Sequence, residues 1–159
     1  MRILFLDIDG VLNSTASCIA FSGYPHDFTP AGLNKFDHVA IALIRRLCKV
    51  ANVKVVLSST WRLEFTPEQT SEGLGIPCID RTKSLPGIRG VEINEWLSRH
   101  PDVESYAIVD DNSDMLPDQL ERFVQTSMDD GLTLRDFRKL CALFGVNEYA
   151  QEPSPLPWA

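Results

Sequence analysis

The first ten residues constrain the fold more than any other stretch of the chain. Residues 3–6 form an uninterrupted apolar run, which is typical of a central β-strand that helices bury on both faces. The run ends at Asp7 and Asp9, and Gly10 then permits an immediate turn. Side chains at alternate positions of an extended backbone point the same way, so both acids are predicted to face one pocket. Open α/β sheets bind their ligands at this carboxyl edge of the strands.

The Asp-Gly pair alone is equally consistent with a solvated turn, so its interpretation depends on the residues at the ends of the other strands. A second run of β-branched residues, 54–57, ends at Ser58. A third apolar run, 106–109, ends at Asp110 and Asp111. Each of these predicted strands therefore ends in polar groups, which favours a functional site over a turn.

Helical spacing between the strands indicates the α/β class. The other predicted elements, in chain order, are a loop or small hairpin over 11–32, helices over 31–50 and 67–74, a connection over 76–88, a helix over 91–97, a helix beginning at 113–114, a strand over 123–126 and a helix over 134–144. Alternating strands and helices pair the strands in parallel through right-handed crossovers. We therefore predict a three-layer, Rossmann-like α/β fold with a mainly parallel central sheet and helices on both faces.

Composition indicates one acidic domain. With 159 residues, 44% of them hydrophobic, the chain is long enough to bury a sizeable core, and we predict one domain over 1–151 with a Pro-rich tail over 152–159. The net charge of −7 argues against bulk electrostatic binding to nucleic acid or to an anionic membrane. The cysteines are scattered, and no signal peptide or membrane span is visible. We expect a cytoplasmic protein with reduced thiols.

Several carboxylates in one pocket need a cation, because two like charges at roughly 4 Å repel by about 4 kcal/mol at an effective dielectric of about 20. Oxygen ligands with room for water and a phosphate suit Mg²⁺. The metal also separates an Asp nucleophile from a phosphate ester, both of which are anions. A hydroxyl such as that of Ser58 and a cationic side chain can hold the remaining phosphoryl oxygens. Carboxylates, a bound cation, a hydroxyl and a cationic side chain are together the groups that phosphoryl transfer requires.

These motifs resemble the haloacid dehalogenase (HAD) superfamily of phosphohydrolases over nearly the whole chain. The first family motif, Asp-x-Asp-Gly after an apolar strand, is matched at 7–10, and the second, a Ser or Thr ending the next core strand, at Ser58. The third, a Lys or Arg near a helix start, is matched by Arg89, with Lys83 as a rival in the preceding loop. The fourth, acidic residues after an apolar strand, is matched at 110–111.

The resemblance implies a role for each matched acid. Asp7 would attack phosphorus to form an aspartyl-phosphate, while Asp9 would protonate the leaving oxygen and then activate water. Mg²⁺ would be held by the Asp7 carboxylate, the Asp9 backbone carbonyl and Asp110. Asp111 or Asp114 would support the ion through water.

Finer similarities indicate a subfamily. Three segments are similar to small HAD domains of RNA-repair and polynucleotide end-healing proteins. They are Ser-Ser-Thr-Trp-Arg at 58–62, Arg-Gly-Val-Glu-Ile-Asn-Glu-Trp-Leu at 89–97 and the segment 126–133. The match at 126–133 ends in Gly-Leu-Thr.

The phosphate-binding residues implied by this resemblance are Ser58, Ser59, Arg89 and Arg62. Arg62 would contact a substrate phosphate, although pairing with a surface carboxylate is an equally good interpretation. Trp61 is interpreted as a packing residue rather than a platform for a base. For the aromatic residues of the 11–32 loop, packing is the preferred interpretation and substrate contact the alternative.

HAD enzymes often carry a cap domain after the first motif or between the second and third, and neither gap has room here. The chain between 9 and 58 is filled by a loop and a long helix, and that between 58 and 89 by a short helix and a connection. An open pocket favours a phosphate on something large, such as a nucleic-acid end or a phosphoprotein, with 11–32 as a substrate loop.

The predicted function is a Mg²⁺-dependent phosphohydrolase that acts through an aspartyl-phosphate. One alternative is a small-metabolite phosphatase or phosphotransferase whose pocket is closed by a second subunit. The other is a catalytically silent HAD-like binding module. The oligomeric state is left open.

Overall fold

A parallel sheet forms the centre of the molecule. The computed structural model describes residues 1–153, so most of the predicted 152–159 tail lies outside the described residues. The strands are β1 (Arg2–Leu6), β2 (Val53–Leu57), β3 (Cys78–Arg81), β4 (Ser105–Asp110) and β5 (Phe123–Gln125). They form a five-stranded sheet in the order β3-β2-β1-β4-β5, and all neighbours pair in parallel. The apolar N-terminal strand is thus the central one, as its sequence predicts.

Helices cover both faces of this sheet. They are α1 (Thr15–Phe21), α2 (Pro30–Leu33), α3 (His38–Val50), α4 (Pro67–Leu74), α5 (Arg89–Ser98) and α6 (Leu134–Leu143), with short 3-10 helices at Thr60–Leu63 and Pro117–Arg122. None of the helices in the described part of the chain has the length and apolar character that a membrane crossing requires.

The alternation of side chains along β1 divides the core in two. Leu4 and Leu6 belong to a larger hydrophobic cluster that includes buried residues of α3 and α6, whereas Ile3 and Phe5 belong to a smaller cluster with Ile93 and Trp96 of α5. Each fully buried Leu or Ile contributes roughly 1.5–3 kcal/mol to burial free energy. The three-layer α/β arrangement predicted from the sequence is confirmed.

Two helical predictions need correction. The segment 11–32, predicted as a loop or hairpin, contains α1, which begins at a capping box formed by Ser14 and Ser17. The helix predicted over 31–50 is interrupted, because the Asp37 carboxylate accepts hydrogen bonds from the backbone of Val39 and Ala40 and starts a new helix.

The connection predicted over 76–88 contains β3, a four-residue edge strand whose mixed burial hides it from pattern analysis. No regular helix begins at 113–114 either. That segment is irregular until the 3-10 helix at Pro117–Arg122.

Candidate active site

The ends of β1, β2 and β4 lie level at the carboxyl edge of the sheet. Leu6 pairs with Leu57 of β2 and with Val109 of β4. The next residues along these strands are Asp7, Ser58 and Asp110. The Asp7 backbone N–H donates to the Val109 carbonyl at 3.1 Å, and the Ser58 N–H donates to the Leu6 carbonyl at 3.0 Å. The sheet ladder therefore fixes the backbone of the site.

Three carboxylates converge at this edge. Asp7, Asp110 and Asp111 place oxygens within 4.8 Å of one another, and the first two are buried. The Asp9 carboxylate does not belong to this cluster. Asp114, the rival of Asp111, stands outside it and offers its backbone carbonyl to the Gly90 N–H at 2.8 Å. Asp111 is therefore the further acid that the fold brings to Asp7.

Arg89, at the first turn of α5, is the cation of the site. Its Nη1 lies 3.3 Å from Asp7 Oδ1 and 2.6 Å from Asp110 Oδ2. The rival Lys83 turns elsewhere, since its Nζ lies 3.2 Å from Glu95 Oε1 in an exposed ion pair. Among the sequence-predicted cations, the structure thus brings Arg89 and not Lys83 to the carboxylates.

The electrostatics of the cluster call for more positive charge. Burial, together with the negative charge of Asp110, raises the pKa of Asp7 to about 8 against the opposing effect of Arg89. Burial also raises the pKa of Asp110, again against the effect of Arg89. One guanidinium does not neutralise three carboxylates, and a divalent cation with oxygen ligands would complete the charge balance.

Asp9 is oriented by two donors that the sequence analysis did not assign to the site. Its Oδ1 accepts a hydrogen bond from Trp61 Nε1 at 3.1 Å and another from Asn13 Nδ2 at 2.9 Å. The Asn13 Oδ1 in turn accepts from the Gly10 N–H at 3.3 Å. Because an indole and an amide NH₂ can only donate, Oδ2 is the Asp9 oxygen suited to carry a proton.

The polar residues after β2 differ in role. The Ser58 hydroxyl is buried and has no hydrogen-bond partner within the described chain. The Ser59 hydroxyl accepts from the Trp61 N–H at 3.3 Å and so caps the 3-10 helix. Thr60, which sequence reasoning passed over, lines the pocket that also contains Asp7 and Arg89. Ser58 thus carries a buried hydroxyl without a partner in residues 1–153, close in the chain to Thr60, but Ser58 itself does not line the pocket.

Arg62 has a structural place rather than the predicted substrate contact. It is 5% exposed, and its Nη2 lies 2.6 Å from Glu92 Oε2. Its other nitrogens donate to the carbonyls of Ser58 at 3.2 Å, Ser59 at 2.8 Å and Thr82 at 3.2 Å. The carboxylate partner is a buried one, not the surface group considered from sequence. Arg62 braces the backbone that carries the two serines.

Close packing around two glycines holds the loops of the site. Gly10 has φ +79°, and a Cβ there would lie 2.6 Å from the Asp111 Cγ. The Thr126 hydroxyl donates to the Gly10 carbonyl at 2.6 Å and ties this loop to the end of β5. At Gly90 a Cβ would lie 2.5 Å from Gln119 Oε1, so a side chain would push the start of α5 away from the site.

Two depressions meet at the sheet edge. The polar one, of about 450 Å³, contains Asp7, Asp9, Arg89 and Asp111. A second cleft of about 750 Å³ adjoins it, and Asp9 and Thr60 line both. The arrangement can hold a phosphoryl group over Asp7 while Asp9 stands between that group and the second cleft.

Comparison of the sequence with family models, curated proteins and solved structures gives a match to a family model. Residues 3–137 match the family model described as the HAD domain in Swiss Army Knife RNA repair proteins. No curated protein and no solved structure matches the chain. The five-stranded parallel sheet is consistent with the Rossmann-like HAD fold, and no cap domain is evident in residues 1–153. The chain belongs to the family of HAD domains found in Swiss Army Knife RNA repair proteins, and hence to the HAD phosphohydrolase superfamily.

Proposed function

We propose that the protein is a Mg²⁺-dependent phosphomonoesterase that acts through an aspartyl-phosphate at Asp7. The observation that carries this proposal is the cluster of Asp7, Asp110 and Asp111 against Arg89 at the level strand ends. The all-oxygen donor set fits Mg²⁺, and the unpartnered Ser58 hydroxyl fits a phosphoryl oxygen beside it.

The residues that would hold the ion are Asp7, Asp110 and Asp111. Bound Mg²⁺ would supply charge neutralisation between the Asp7 carboxylate and the phosphoryl oxygens. Arg89 and Ser58 bind other phosphoryl oxygens by hydrogen bonds that strengthen as charge develops. An Asp7 carboxylate oxygen then attacks phosphorus, and the ester P–O bond breaks as the new O–P bond forms.

Asp9 acts as the general acid in the first half-reaction and as the general base in the second. Its Oδ2 donates a proton to the leaving oxygen, so the product departs as an alcohol. The resulting carboxylate takes a proton from a water molecule, which attacks the aspartyl-phosphate and releases phosphate. Asp7 is regenerated as a carboxylate and Asp9 as an acid, ready for the next turnover.

We further propose that the substrate phosphate stands at the end of a nucleic acid. Support comes from the family, which occurs in RNA repair proteins, and from the open pocket. The net charge of −7 favours recognition of the end over long contact with the phosphate backbone. Tyr24 and His26 of the 11–32 segment reach the cleft next to Asp9, which fits the proposed substrate loop.

The first experiment measures hydrolysis of p-nitrophenyl phosphate with Mg²⁺, with and without a chelator. Wild type should lose activity with the chelator, and Asp7→Asn should be inactive, while the exposed Asp118→Asn serves as the matched control. Borohydride reduction of the acyl phosphate followed by mass spectrometry should mark residue 7. Activity in Asp7→Asn would remove Asp7 as nucleophile, and a wild type inactive on every phosphate would favour a binding module.

The second experiment concerns the substrate. Rates on phosphorylated oligonucleotides are compared with rates on a panel of sugar phosphates. We expect the oligonucleotides to be preferred, and a preference for the sugars by orders of magnitude would contradict the assignment.

A further inference from the structure

We propose that the cleft beside Asp9 binds the base of the terminal nucleotide whose phosphate is removed, an inference that rests on the proposed function. The cleft measures about 750 Å³, a size typical of small-molecule sites. Beside Asp9, three separate segments form it: the first contributes 24–26, the second contributes Thr60, Trp61 and 63–65 but not Arg62, and the third contributes Met128.

The position of the cleft matches the path of the leaving group. Asp9 and Thr60 line both the cleft and the pocket that holds Asp7 and Arg89. A phosphoryl group over Asp7 must present its leaving oxygen to Asp9 in order to be protonated. The remainder of the substrate therefore leaves the polar pocket on the side where the cleft begins.

The walls of the cleft are aromatic and held in place from behind. The rings of Trp61 and Phe65 stack with centroids 5.4 Å apart at 29°. Phe28 backs both rings, at 5.2 Å from Trp61 and 4.9 Å from Phe65. Phe28 thus has the packing role preferred from sequence, although its partners lie outside the 11–32 loop, while Trp61 both packs and lines the cleft. Trp61 is only 8% exposed and Phe65 is half-buried, so these two rings form a fixed aromatic floor, and the half-buried Tyr24 also lines the cleft. Aromatic side chains bind nucleobases by stacking.

Exposed apolar side chains complete the cleft. Leu63 is 64% exposed and Met128 is 37% exposed, although both are large hydrophobic residues. Side chains of this type at a site mouth are expected to be covered when a planar ligand enters. They are also positions at which substitution leaves the core untouched.

The polar side chains that line the cleft favour an uncharged part of the substrate over a second phosphate. Asp9, His26 and Glu64 line it, and among the described residues neither Lys nor Arg does. A second phosphate or a following stretch of backbone would meet no cation here. A base suits the cleft better, because His26 and Glu64 can hydrogen-bond to its polar edge. The phenol ring of a phosphotyrosine is smaller and offers no such edge.

Binding of adenosine to the metal-free protein tests this assignment without catalysis. Tryptophan fluorescence is titrated with adenosine, ribose and N-acetyltyrosinamide. We expect saturable quenching by adenosine alone, lost in Trp61→Phe because Trp61 is the reporter in the cleft. Leu63→Ala and Met128→Ala should each weaken adenosine binding several-fold. Leu120→Ala removes another exposed leucine, 55% exposed and outside the cleft, and should leave binding unchanged.

Kinetics provide the second readout. In wild type, kcat/KM for adenosine 3′-monophosphate should exceed that for glycerol phosphate by at least about tenfold, as one stacked ring predicts. Leu63→Ala should reduce this ratio several-fold, whereas Leu120→Ala should not.

Absence of quenching by adenosine, or equal effects of Leu63→Ala and Leu120→Ala, would overturn the base site. Tighter binding of N-acetyltyrosinamide would reassign the cleft to a phosphotyrosyl group. Either result can occur while glycerol phosphate is still hydrolysed through Asp7. If wild type binds adenosine but does not hydrolyse glycerol phosphate, the proposed function alone is refuted.

Discussion

The Trp61 indole N–H donates to Asp9 Oδ1 at 3.1 Å, across 52 positions of the chain. The same ring lines the cleft that adjoins the pocket of Asp7 and Arg89, so one side chain touches both the proposed acid and the proposed leaving-group site. Asn13 donates to the same oxygen at 2.9 Å. These two donors hold the carboxyl group at Oδ1 and leave Oδ2 for the proposed proton transfer.

Trp61→Phe removes the indole donor while keeping an aromatic ring. We expect it to slow hydrolysis of glycerol phosphate by about 10–100-fold, because an alkoxide leaving group needs a well-placed proton. Hydrolysis of p-nitrophenyl phosphate should fall by less than about threefold, since p-nitrophenolate leaves without one. The measurement is kcat for the two esters at one pH.

Trp96→Phe is the matched control for this variant. The Trp96 indole N–H donates to Asp80 Oδ2 of the edge strand β3 at 2.8 Å, and Trp96 lines neither the cleft nor the pocket of the acids. This variant should reduce the free energy of unfolding and slow hydrolysis of both esters to the same small extent. If Trp61→Phe also slows both esters equally, the indole has only a structural role.

Ser58→Ala separates function from stability. Because the Ser58 hydroxyl is buried without a partner, its removal should leave the free energy of unfolding unchanged or raise it by about 1 kcal/mol. Activity should fall by about 10²-fold if the hydroxyl binds the phosphoryl group. Urea unfolding and p-nitrophenyl phosphate hydrolysis measure the two effects.

Thr82→Val removes the other buried hydroxyl that lacks a partner in the described residues. It should match Ser58→Ala in stability and wild type in activity. Equal activity of the two variants would contradict a phosphoryl contact at Ser58.

The buried pair of Arg62 and Glu92 should support stability strongly. Glu92→Gln leaves the Arg62 guanidinium buried without its counter-charge, and such a loss costs about 3–5 kcal/mol. Lys83→Ala breaks the exposed pair with Glu95 and should cost about 0–1 kcal/mol. Urea unfolding measures the free energy of unfolding of both variants. Equal small losses of that free energy would show that water reaches the Arg62 side chain after Glu92→Gln.

The sheet and its acidic edge were predictable because their causes are local. Residues 3–6 and 106–109 are apolar runs that end abruptly at carboxylates, and parallel pairing follows from the intervening helices. The level register of Leu6 with Leu57 and Val109 then places the following polar residues side by side.

What sequence patterns missed depends on distant partners. Four-residue β3 has mixed burial and exists through its pairing with β2. Trp61 and Asn13 carry no pattern that marks them as donors to Asp9, and Arg62 carries none that names Glu92. A residue type shows what a side chain can do, whereas only the folded chain decides which group it meets.

Without Mg²⁺ the site should destabilise the protein as pH rises. The pKa of Asp7 is raised from 3.8 to about 8, so between these values the folded chain keeps a proton that the unfolded chain releases. Unfolding is therefore favoured as pH increases through this window, and the raised pKa of Asp110 acts in the same direction. With chelator present, Asp7→Asn should be more stable than wild type by several kcal/mol at pH 8 and nearly equal to it at pH 4, where the unfolded chain also keeps much of this proton. Mg²⁺ should reverse the order, because it binds deprotonated carboxylates and stabilises wild type more at pH 8. Urea unfolding at both pH values measures this, and a wild type that gains stability with pH in the presence of chelator would contradict the raised pKa of Asp7.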